Sequence, residues 1–503
     1  MMLTSEKPMS NNQGQKFYIT TTLPYVNSDP HIGFAMEIIR ADVIARYKRL
    51  TGCDVFFNTG TDEHGAKIYE NAIKQGVPVQ AYVDGYASRF QELTKALGIS
   101  DVHFIRTTDE KHVKAAQEMW KRCNDNGYIY KKTYQTKYCV GCELNKTDSE
   151  LENGKCPIHL NREIELIDEE NYFFKFSAFQ NQLLDFYTAN PTFVVPDFRF
   201  NEIKSFVERG LEDFSISRLK EKMPWGVAVL GDDDHVMYVW FDALTSYIST
   251  LGWGTTNVDF DFWKEGTPVQ YCGKDNLRQQ SAMWQAMLMA SGLPNSKHII
   301  IDGFITSGGQ KMSKSLGNVI SPFDVIEAFR DVTDYPEEVL RFVLLHEVSS
   351  FEDGDVTMES ITTAYTAHLQ NGIGNLTNRI MKMVITNGLD GNAYLDLWGR
   401  EISATDKVSL QYHEALNSFD TKKAIEAVTS AISYADKYIQ SSQPFKVIKE
   451  NKQEGEDIIL KLVKHLSEIG NLLQPLLPKT SAKILECIRE NKMPEKPLFN
   501  RLP

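Results

Sequence analysis

The chain has 503 residues, 42% of them hydrophobic and 24% charged, and its formal net charge is −13. That length exceeds what one core supports, so we expect three or four domains of an ordinary soluble globular protein. The acidic balance argues against indiscriminate nucleic-acid binding, because phosphate contacts need Lys and Arg. No uninterrupted apolar stretch approaches a membrane span and residues 1–15 lack the apolar core of a signal peptide, so we expect a cytoplasmic protein without membrane contact.

The N-terminal part predicts a strand–helix–strand unit. Residues 17–22 are aromatic and β-branched, which favours a strand. Apolar residues then recur at helical spacing from Ile32 to Leu50, and residues 54–59 predict a second strand. Because parallel strands need a crossover connection, this order indicates an α/β domain.

A histidine and a glycine stand where the first strand gives way to the helix, in Pro30-His31-Ile32-Gly33-Phe34. Backbone N–H groups and the helix dipole favour a phosphate there, and Gly33 lets a nucleotide approach the backbone. His31 could donate a hydrogen bond to charge developing on an α-phosphate. In isolation the short pattern is more often an ordinary helix start.

Three cysteines and a histidine form two close pairs further along. Cys139-x2-Cys142 is followed by Cys156-x2-His159. Three thiolates and one imidazole at this spacing are typical of a tetrahedral zinc site, with chance reduced cysteines as the alternative. Four protein ligands leave no open coordination position, so the zinc would be structural.

A second strand–helix–strand unit appears much later, with strands predicted at residues 269–272 and 298–301 around a helix at 277–291. The intervening segment contains the cysteine pairs and mixed aromatic stretches. We therefore predict an insertion between the two halves of a nucleotide-binding sheet.

Two lysines three residues apart follow the second unit. Lys311 and Lys314 stand in Lys-Met-Ser-Lys-Ser, flanked by glycines at 308, 309 and 317 that could act as hinges. Such a mobile cationic loop could close over a triphosphate and stabilise the leaving pyrophosphate. An isolated lysine pair would be a solvated basic turn. With the His31 motif upstream, the loop instead indicates activation of a carboxylate by ATP.

Beyond residue 321 the pattern is predominantly helical. One apolar stripe at helical spacing predicts a bundle helix, formed by Ile459, Val463, Leu466, Ile469 and Leu473. Asn375 and Arg379 are four residues apart and so share a helix face, where they could read single-stranded base edges. Alone they would be ordinary polar groups near a helix start.

Together these motifs resemble the class I aminoacyl-tRNA synthetases, and specifically the methionyl-tRNA synthetases. The first family signature is matched at residues 30–34 and the second in full at 311–315. Further family-like stretches are residues 23–27, 60–65, 238–243 and 273–275. The resemblance extends from about residue 17 to the C-terminal bundle.

The resemblance implies an α/β fold in which a Rossmann-like parallel-sheet catalytic domain is split by a zinc-containing insertion and followed by an α-helical bundle that binds the anticodon. The expected boundaries are 15–115 and 234–320 for the catalytic domain, 116–233 for the inserted connective domain with its zinc knuckle at 139–159, 321–370 for the linking, stem-contact region with the lysine loop at its start, and 371–503 for the helical domain.

The implied reaction joins L-methionine to ATP as methionyl-adenylate and transfers methionyl to methionine tRNA, both initiator and elongator, through the CAU anticodon. The expected cofactors are structural Zn²⁺ and Mg²⁺ with ATP. The chain stops soon after the bundle, without the appended domain that dimerises some relatives, so we expect a monomer.

The resemblance also implies roles for individual residues. His31, Lys311 and Lys314 would be catalytic. ATP would contact His31, Gly33, Phe34, Asp275, Lys311 and Lys314, with Asp275 at the ribose. Methionine would contact Leu23, Tyr25, Asp62, Trp240, Tyr247 and Gln280, with Asp62 at the α-amine and aromatic walls around the thioether. The anticodon would contact Asn375, Arg379 and Phe445.

Three positions depart from the family pattern. Phe34 and Gln280 stand where histidines are usual, which removes one donor near the nucleotide and one titratable group beside methionine. Phe445 stands where a tryptophan usually stacks on a base, and is smaller but still able to stack.

Two alternatives stay open from the sequence. A non-catalytic tRNA-binding paralogue would fit Phe34 and Gln280, although the intact lysine loop argues against it. A synthetase for another amino acid would share the class-wide signatures.

Overall fold

The computed structural model describes residues 12–139, 144–146, 151–152, 154–157, 163–312, 317–392 and 407–502. Within these ranges, no helix is both long and apolar enough to cross a membrane.

The strands of the described residues are labelled β1 to β15 in chain order. They are Lys16–Thr20, Asp54–Thr61, Val102–Arg106, Ile129–Cys139, Leu144–Lys146, Glu165–Phe174, Val194–Val195, Phe214–Ser215, Ser217–Leu219, His235–Met237, Thr267–Gly273, His298–Asp302, Ile305–Ser307, Gln310–Lys311 and Gly354–Asp355.

The α-helices of the same ranges are labelled α1 to α19. They are Ile32–Leu50, Ala66–Gln75, Val79–Ala96, Glu110–Asp125, Gln180–Ala189, Asp197–Glu208, Val239–Leu244, Ser246–Ser249, Asp261–Lys264, Trp284–Ala290, Pro322–Ala328, Pro336–His346, Met358–Ala364, Asn375–Thr386, Lys407–Asn417, Thr421–Ser442, Pro444–Glu450, Lys452–Leu473 and Pro478–Arg489. Short 3₁₀ segments lie at Phe176–Phe179 and Lys274–Asn276, and π-helical segments at Gln279–Met283 and Tyr365–Gly374.

Six parallel strands form the central sheet in the order β3-β2-β1-β11-β12-β7. The chain runs from β1 through α1 to β2 and then to β3, which lie on one side of β1. It returns later to β11 and β12, which lie on the other side. The strand order therefore reverses between β1 and β11. In open parallel sheets, ligands bind at the carboxyl ends of the strands beside such a reversal. The predicted Rossmann-like sheet is confirmed, and it fixes where a ligand should bind.

Helix α1 spans the predicted residues Ile32–Leu50 and is buried on nearly all sides. It packs on the sheet and against α12, so even the charged Glu37, Arg40 and Asp42 are buried. Arg40 pairs with Asp302 at 2.9 Å, and Asp42 pairs with Arg341 at 2.8 Å. Buried charges of this kind are tolerated only when they are paired and hydrogen-bonded.

The segment predicted as an insertion contains an antiparallel sheet in the order β5-β4-β6-β8. Its strand β9 pairs with β10, which lies at His235–Met237, just beyond the predicted end of the insertion at residue 233. The segment is not separate from the central sheet, however. Its strand β7 pairs in parallel with β12 at the sheet edge. The predicted boundary between residues 115 and 116 falls inside α4, whose buried residues pack in one cluster with residues of the central sheet and of the predicted insertion.

The described residues of the C-terminal part are predominantly helical, as predicted, with β15 as a short strand among them. The apolar stripe of α18 is buried as expected, at Ile459, Val463, Leu466, Ile469 and Leu473. Helix α12 contacts both α1, which packs on the sheet, and α19. Its Glu338 accepts the N–H groups of Lys479 and Thr480 at the start of α19, at 2.6 and 2.9 Å.

Candidate active site

A cavity of about 940 Å³ opens at the carboxyl ends of β1, β2 and β11. Its volume is in the range of small-molecule and cofactor sites. It brings together all six residues predicted for methionine and the one predicted for ribose: Leu23, Tyr25, Asp62, Trp240, Tyr247, Gln280 and Asp275. Trp240 lines the cavity while 41% of its surface is exposed.

Adjacent parallel strands position the two sides of this cavity. Tyr25 and Asp62 form a parallel bridge just beyond β1 and β2. The Asp62 N–H donates to the Pro24 carbonyl at 2.9 Å, and the Val26 N–H donates to the Asp62 carbonyl at 3.1 Å. Gly65 completes the turn with φ of +129°, and a Cβ there would lie 2.5 Å from the Tyr25 hydroxyl. The local backbone thus requires glycine at residue 65 and holds Asp62 beside Tyr25.

The Asp62 carboxylate is buried and incompletely paired. Only 9% of the residue is exposed, and Oδ1 has no hydrogen-bond partner among the described residues. Burial and the nearby charge of Asp242 raise the pKa of Asp62 well above its usual value. A cationic ligand in the cavity would offset both effects.

Asp242 itself is held by two histidines from different parts of the chain. Its Oδ2 accepts from His64 Nδ1 and its Oδ1 from His112 Nε2, each at 2.7 Å. Burial alone would raise the pKa of Asp242, but the charges and hydrogen bonds of His64 and His112 outweigh it and lower the pKa to about 2. His112 is fixed in turn by the Ser249 hydroxyl, with Nδ1 2.9 Å from Oγ. The cluster ties α7 to the segment after β2 and to α4.

No sequence pattern predicted this cluster, although two of its members lie in the family-like stretches. His64 lies in residues 60–65 and Asp242 in residues 238–243. Their side chains meet across 178 residues, and those of His112 and Asp242 across 130. No local spacing indicates a contact of that kind.

A chain of buried amides holds Tyr247. The Gln280 Nε2 donates to the Tyr247 hydroxyl oxygen, and Gln280 Oε1 accepts from Gln270 Nε2 at 2.7 Å. Gln270 is fixed by the Ser296 hydroxyl, which accepts from Gln285 at 3.1 Å. The Tyr247 oxygen therefore acts as an acceptor toward Gln280, which leaves its own O–H to donate elsewhere. Burial raises the pKa of Tyr247, so the phenol stays protonated.

The first signature begins α1. His31 is the N-cap residue, and its Nδ1 accepts the Gly33 N–H at 3.1 Å, which puts the ring proton on Nε2. A Cβ at Gly33 would lie 2.8 Å from the His31 ring. The Phe34 ring packs edge-on against Phe90, with centroids 5.0 Å apart. His31, Gly33 and Phe34 are not among the residues that line the cavity.

The second signature follows a tight hairpin. Gly308 and Gly309 join β13 to β14 with φ of +63° and +72°, the left-handed conformations that a two-residue type I′ turn requires. Asp355 holds the hairpin, since its Oδ1 accepts from Thr306 Oγ1 at 2.7 Å and from the Gly309 N–H at 2.8 Å. Lys311 ends β14 and is exposed, outside the cavity lining, whereas Lys314 lies outside the described residues.

One backbone contact links the two signatures. The Ile32 N–H donates to the Ile320 carbonyl at 3.2 Å, so the segment after the lysine loop meets the start of α1. Near the carboxyl end of β11, Lys274 pairs with Asp353 at 2.6 Å and lies 4.5 Å from the Phe304 ring centroid. The Lys311 ammonium lies 6.0 Å from the same centroid. The start of α1 and Lys311 are thus next to the sheet ends that form the cavity.

The predicted zinc ligands are only partly described. Cys156 is buried and follows a tight turn in which Glu152 and Lys155 exchange backbone hydrogen bonds of 2.9 and 3.0 Å. Cys142, His159 and the side chain of Cys139 lie outside the described residues.

The predicted anticodon residues lie on the helical part. Asn375 begins α14 and is exposed, and Arg379 on the same helix forms an ion pair with Asp436 of α16. Phe445 lies at the start of α17 with 49% of its surface exposed.

Comparison with known proteins agrees with this geometry. A family profile described as tRNA synthetases class I (M) matches residues 17–164 and 149–381. The methionine–tRNA ligase of Thermotoga maritima is 38% identical over 492 residues, which cover 96% of this chain and 76% of that protein. The methionine–tRNA ligase of Rhizobium meliloti is 36% identical over 482 residues, which cover 94% of this chain and 91% of that protein.

A solved structure is also similar over nearly its whole length. Mycobacterium tuberculosis methionyl-tRNA synthetase in complex with methionyl-adenylate superposes with a TM-score of 0.82 and 35% identity, covering 93% of each chain. The central sheet, the cavity at its reversal point and the family profile define a class I aminoacyl-tRNA synthetase. Within that class, the chain belongs to the methionyl-tRNA synthetase family, whose activity is methionine–tRNA ligation.

Proposed function

We propose that the cavity at β1, β2 and β11 binds L-methionine and ATP, forms methionyl-adenylate, and passes methionyl to methionine tRNA. One observation carries the amino-acid part of this proposal. Asp62 is a buried, incompletely paired carboxylate in a cavity with both apolar and charged walls. Leu23, Tyr25, Trp240, Leu244 and Tyr247 are among the apolar and aromatic lining residues, and Glu70, Arg218 and Lys222 are among the charged ones. A zwitterionic amino acid with an apolar side chain satisfies both features.

In this arrangement the methionine α-ammonium lies against Asp62 and the thioether lies among Leu23, Trp240 and Tyr247. The polarizable, unbranched side chain gains dispersion and sulfur–aromatic contact there. Because Gln280 donates to the Tyr247 oxygen, the Tyr247 O–H is the donor that faces the sulfur, a weak acceptor. By orienting this O–H, the amides of Gln280 and Gln270 would favour a ligand with a thioether sulfur over one with a methylene at the same position.

The nucleotide lies across the start of α1. The His31 ring carries its proton on Nε2, and this N–H donates a hydrogen bond to a nonbridging oxygen of the α-phosphate. Asp275 accepts hydrogen bonds from the ribose hydroxyls. Lys311 and Lys314 reach the β- and γ-phosphates when the loop closes on its hairpin. Mg²⁺ would accompany the triphosphate and neutralise part of its charge.

Adenylate formation then needs no side-chain nucleophile. A methionine carboxylate oxygen attacks the α-phosphorus, a new P–O bond forms, and the bond to the β-phosphate oxygen breaks with its electron pair leaving on pyrophosphate. Negative charge grows on the α-phosphate oxygens and on the leaving group. His31 and the two lysines are the groups that would stabilise it.

Two features of the helical part support anticodon recognition. Arg379 is oriented by Asp436, and Phe445 presents an exposed ring on which an anticodon base could stack. We assign anticodon recognition to Asn375, Arg379 and Phe445. We assign structural Zn²⁺ to Cys139, Cys142, Cys156 and His159, since the donor set and the buried Cys156 suit a closed tetrahedral site.

The discriminating experiment is amino-acid-dependent ATP–pyrophosphate exchange, screened with methionine, leucine, isoleucine, valine and cysteine. Exchange with methionine alone supports the proposal. Exchange with another of these amino acids would favour a different specificity. tRNA binding without any exchange would favour a non-catalytic paralogue.

A further inference from the structure

Two histidines and a glutamate converge outside the active site, where α12 meets the helical segment 365–374. His346 is the last residue of α12, Glu347 follows it, and His368 lies on the facing helix. One nitrogen of each imidazole and one carboxylate oxygen all lie within 4.8 Å of one another. Nothing in methionine activation uses these three side chains.

The two imidazoles are held in place by packing. Their ring centroids are 4.5 Å apart, and the Phe342 ring stacks on His346 at 4.9 Å with an interplanar angle of 16°. The His346 side chain is only 16% exposed. Ligands that are already oriented by packing lose little side-chain entropy when they bind an ion.

The donor set suits a cation. An imidazole nitrogen binds a metal in its neutral form, and two imidazoles face each other here. A carboxylate oxygen lies beside them, with His346 Nδ1 2.8 Å from Glu347 Oε1. The carboxyl end of α12, where the helix dipole is negative, lies at the same place.

The geometry points to a binding site for a first-row divalent cation, Zn²⁺ foremost, with His346, Glu347 and His368 as ligands. Nitrogen and oxygen ligands lie about 2.0–2.2 Å from zinc, so a tetrahedral site needs ligand atoms about 3.3 Å apart. Rotation of the three side chains would bring their ligand atoms from the present separations, all within 4.8 Å, to this distance. If His346 binds through Nδ1, the proton on that atom moves to Nε2, and water fills the remaining positions. The ion would join α12 to the helix after α13.

The test is metal binding to the full chain, with Co²⁺ and Zn²⁺ as probes. A site of nitrogen and oxygen ligands gives Co²⁺ visible bands without the sulfur-to-metal charge transfer that thiolates produce, which separates it from the cysteine knuckle. We expect wild type to bind one more equivalent than the double variant His346→Asn/His368→Asn, and its Tm to rise with Zn²⁺ while that of the variant does not.

Glu347→Gln serves as the conservative variant, with Tm and circular dichroism measured in the absence of metal to show that it folds. It should weaken binding by about tenfold or more. His465→Asn is the matched control, because His465 also pairs with a glutamate, Glu468 at 3.3 Å, but its ring contacts are with Tyr434 and Tyr438. It should bind like wild type. Equal Co²⁺ stoichiometry and affinity in wild type and the double variant, or only thiolate-type spectra in wild type, would overturn the assignment.

Discussion

Asp62 faces two opposing requirements in the ligand-free protein. Its carboxylate is suited to an ammonium ligand, yet burial and Asp242 raise its pKa well above the usual 3.8. A carboxyl whose folded-state pKa is raised favours folding only while protonated. That contribution is present below pH 3.8 and is lost as pH rises through the higher folded-state pKa. At neutral pH the buried Asp62 carboxyl therefore costs stability until a cation binds.

Asp62→Asn should therefore raise the free energy of unfolding of the ligand-free chain at pH 7 by about 1–3 kcal/mol. It should also lower methionine-dependent exchange by about 10- to 100-fold, because the α-ammonium loses its charged partner. Denaturant unfolding and exchange assays measure the two effects. Asp84→Asn is the control, since Asp84 is exposed beside Arg106. A variant that is less stable or fully active would contradict this role.

Gln280 offers a second test at the residue scale. Gln280→Leu removes the donor to the Tyr247 hydroxyl and leaves the buried Gln270 amide without its acceptor. The KM for methionine should rise by about tenfold while the KM for ATP changes little. Preference for methionine over norleucine should fall as well, because the two differ at the sulfur, to which we propose that the Tyr247 hydroxyl donates. Steady-state kinetics with both amino acids measure this. Unchanged preference would exclude a role of the amide chain in specificity.

At the scale of secondary-structure elements, α7 carries Trp240 into the cavity, and Asp242 fixes α7 through His64 and His112. The folded-state pKa of Asp242, about 2, lies below its usual 3.8. The stability that Asp242 contributes is therefore complete above pH 3.8 and is lost as pH falls through about 2.

Asp242→Asn should lower the free energy of unfolding at pH 7 by about 2 kcal/mol. The deficit relative to wild type should shrink as the pH falls below 3.8. The KM for methionine should rise more than the KM for ATP, because Trp240 moves with α7. Asp261→Asn is the control, since Asp261 pairs with Lys16 at the surface. A deficit that does not change with pH would mean that ionised Asp242 is not what holds the helix.

Element boundaries show what the sequence could and could not predict. Helix α1 spans Ile32–Leu50, the range that its apolar residues at helical spacing predicted. The helix predicted at 277–291 is confirmed and ends at Ala290, but it follows a 3₁₀ turn at Lys274–Asn276 and is π-helical at Gln279–Met283. The π-helical segment contains Gln280, whose partners Gln270 and Tyr247 come from other elements. Tertiary contacts of this kind leave no local signal.

At the scale of the whole molecule, α12 connects the sheet to the helical part. Arg341 pairs with Asp42 of α1 at 2.8 Å and donates from Nε to the Leu476 carbonyl at 3.0 Å.

Arg341→Met removes this partner and leaves the buried charge of Asp42 less compensated, so we expect the free energy of unfolding to fall by about 3–5 kcal/mol. Thermal and denaturant unfolding measure it. Arg330→Met, at an exposed pair with Glu327, should change stability by less than about 1 kcal/mol. Equal effects of the two substitutions would contradict the connecting role of α12.

The cavity is also a property of the whole molecule. Sequence motifs identified Leu23, Asp62, Trp240 and Gln280 one stretch at a time, and strand order explains why they meet. The carboxyl ends of β2, β1 and β11 are neighbours only because the sheet reverses between β1 and β11. Sequence alone supported a Rossmann-like sheet but gave no account of β7, a two-residue edge strand supplied from inside the predicted insertion.

We infer that this cavity activates methionine with ATP and that the lysine loop stabilises the leaving pyrophosphate. Methionine-dependent ATP–pyrophosphate exchange, measured for wild type and for Lys314→Ala, tests both inferences. We expect measurable exchange in wild type and a loss of about 100-fold or more in the variant, with methionine affinity retained. Absence of exchange in wild type would exclude methionine activation, and an unchanged rate in Lys314→Ala would exclude the role of the loop.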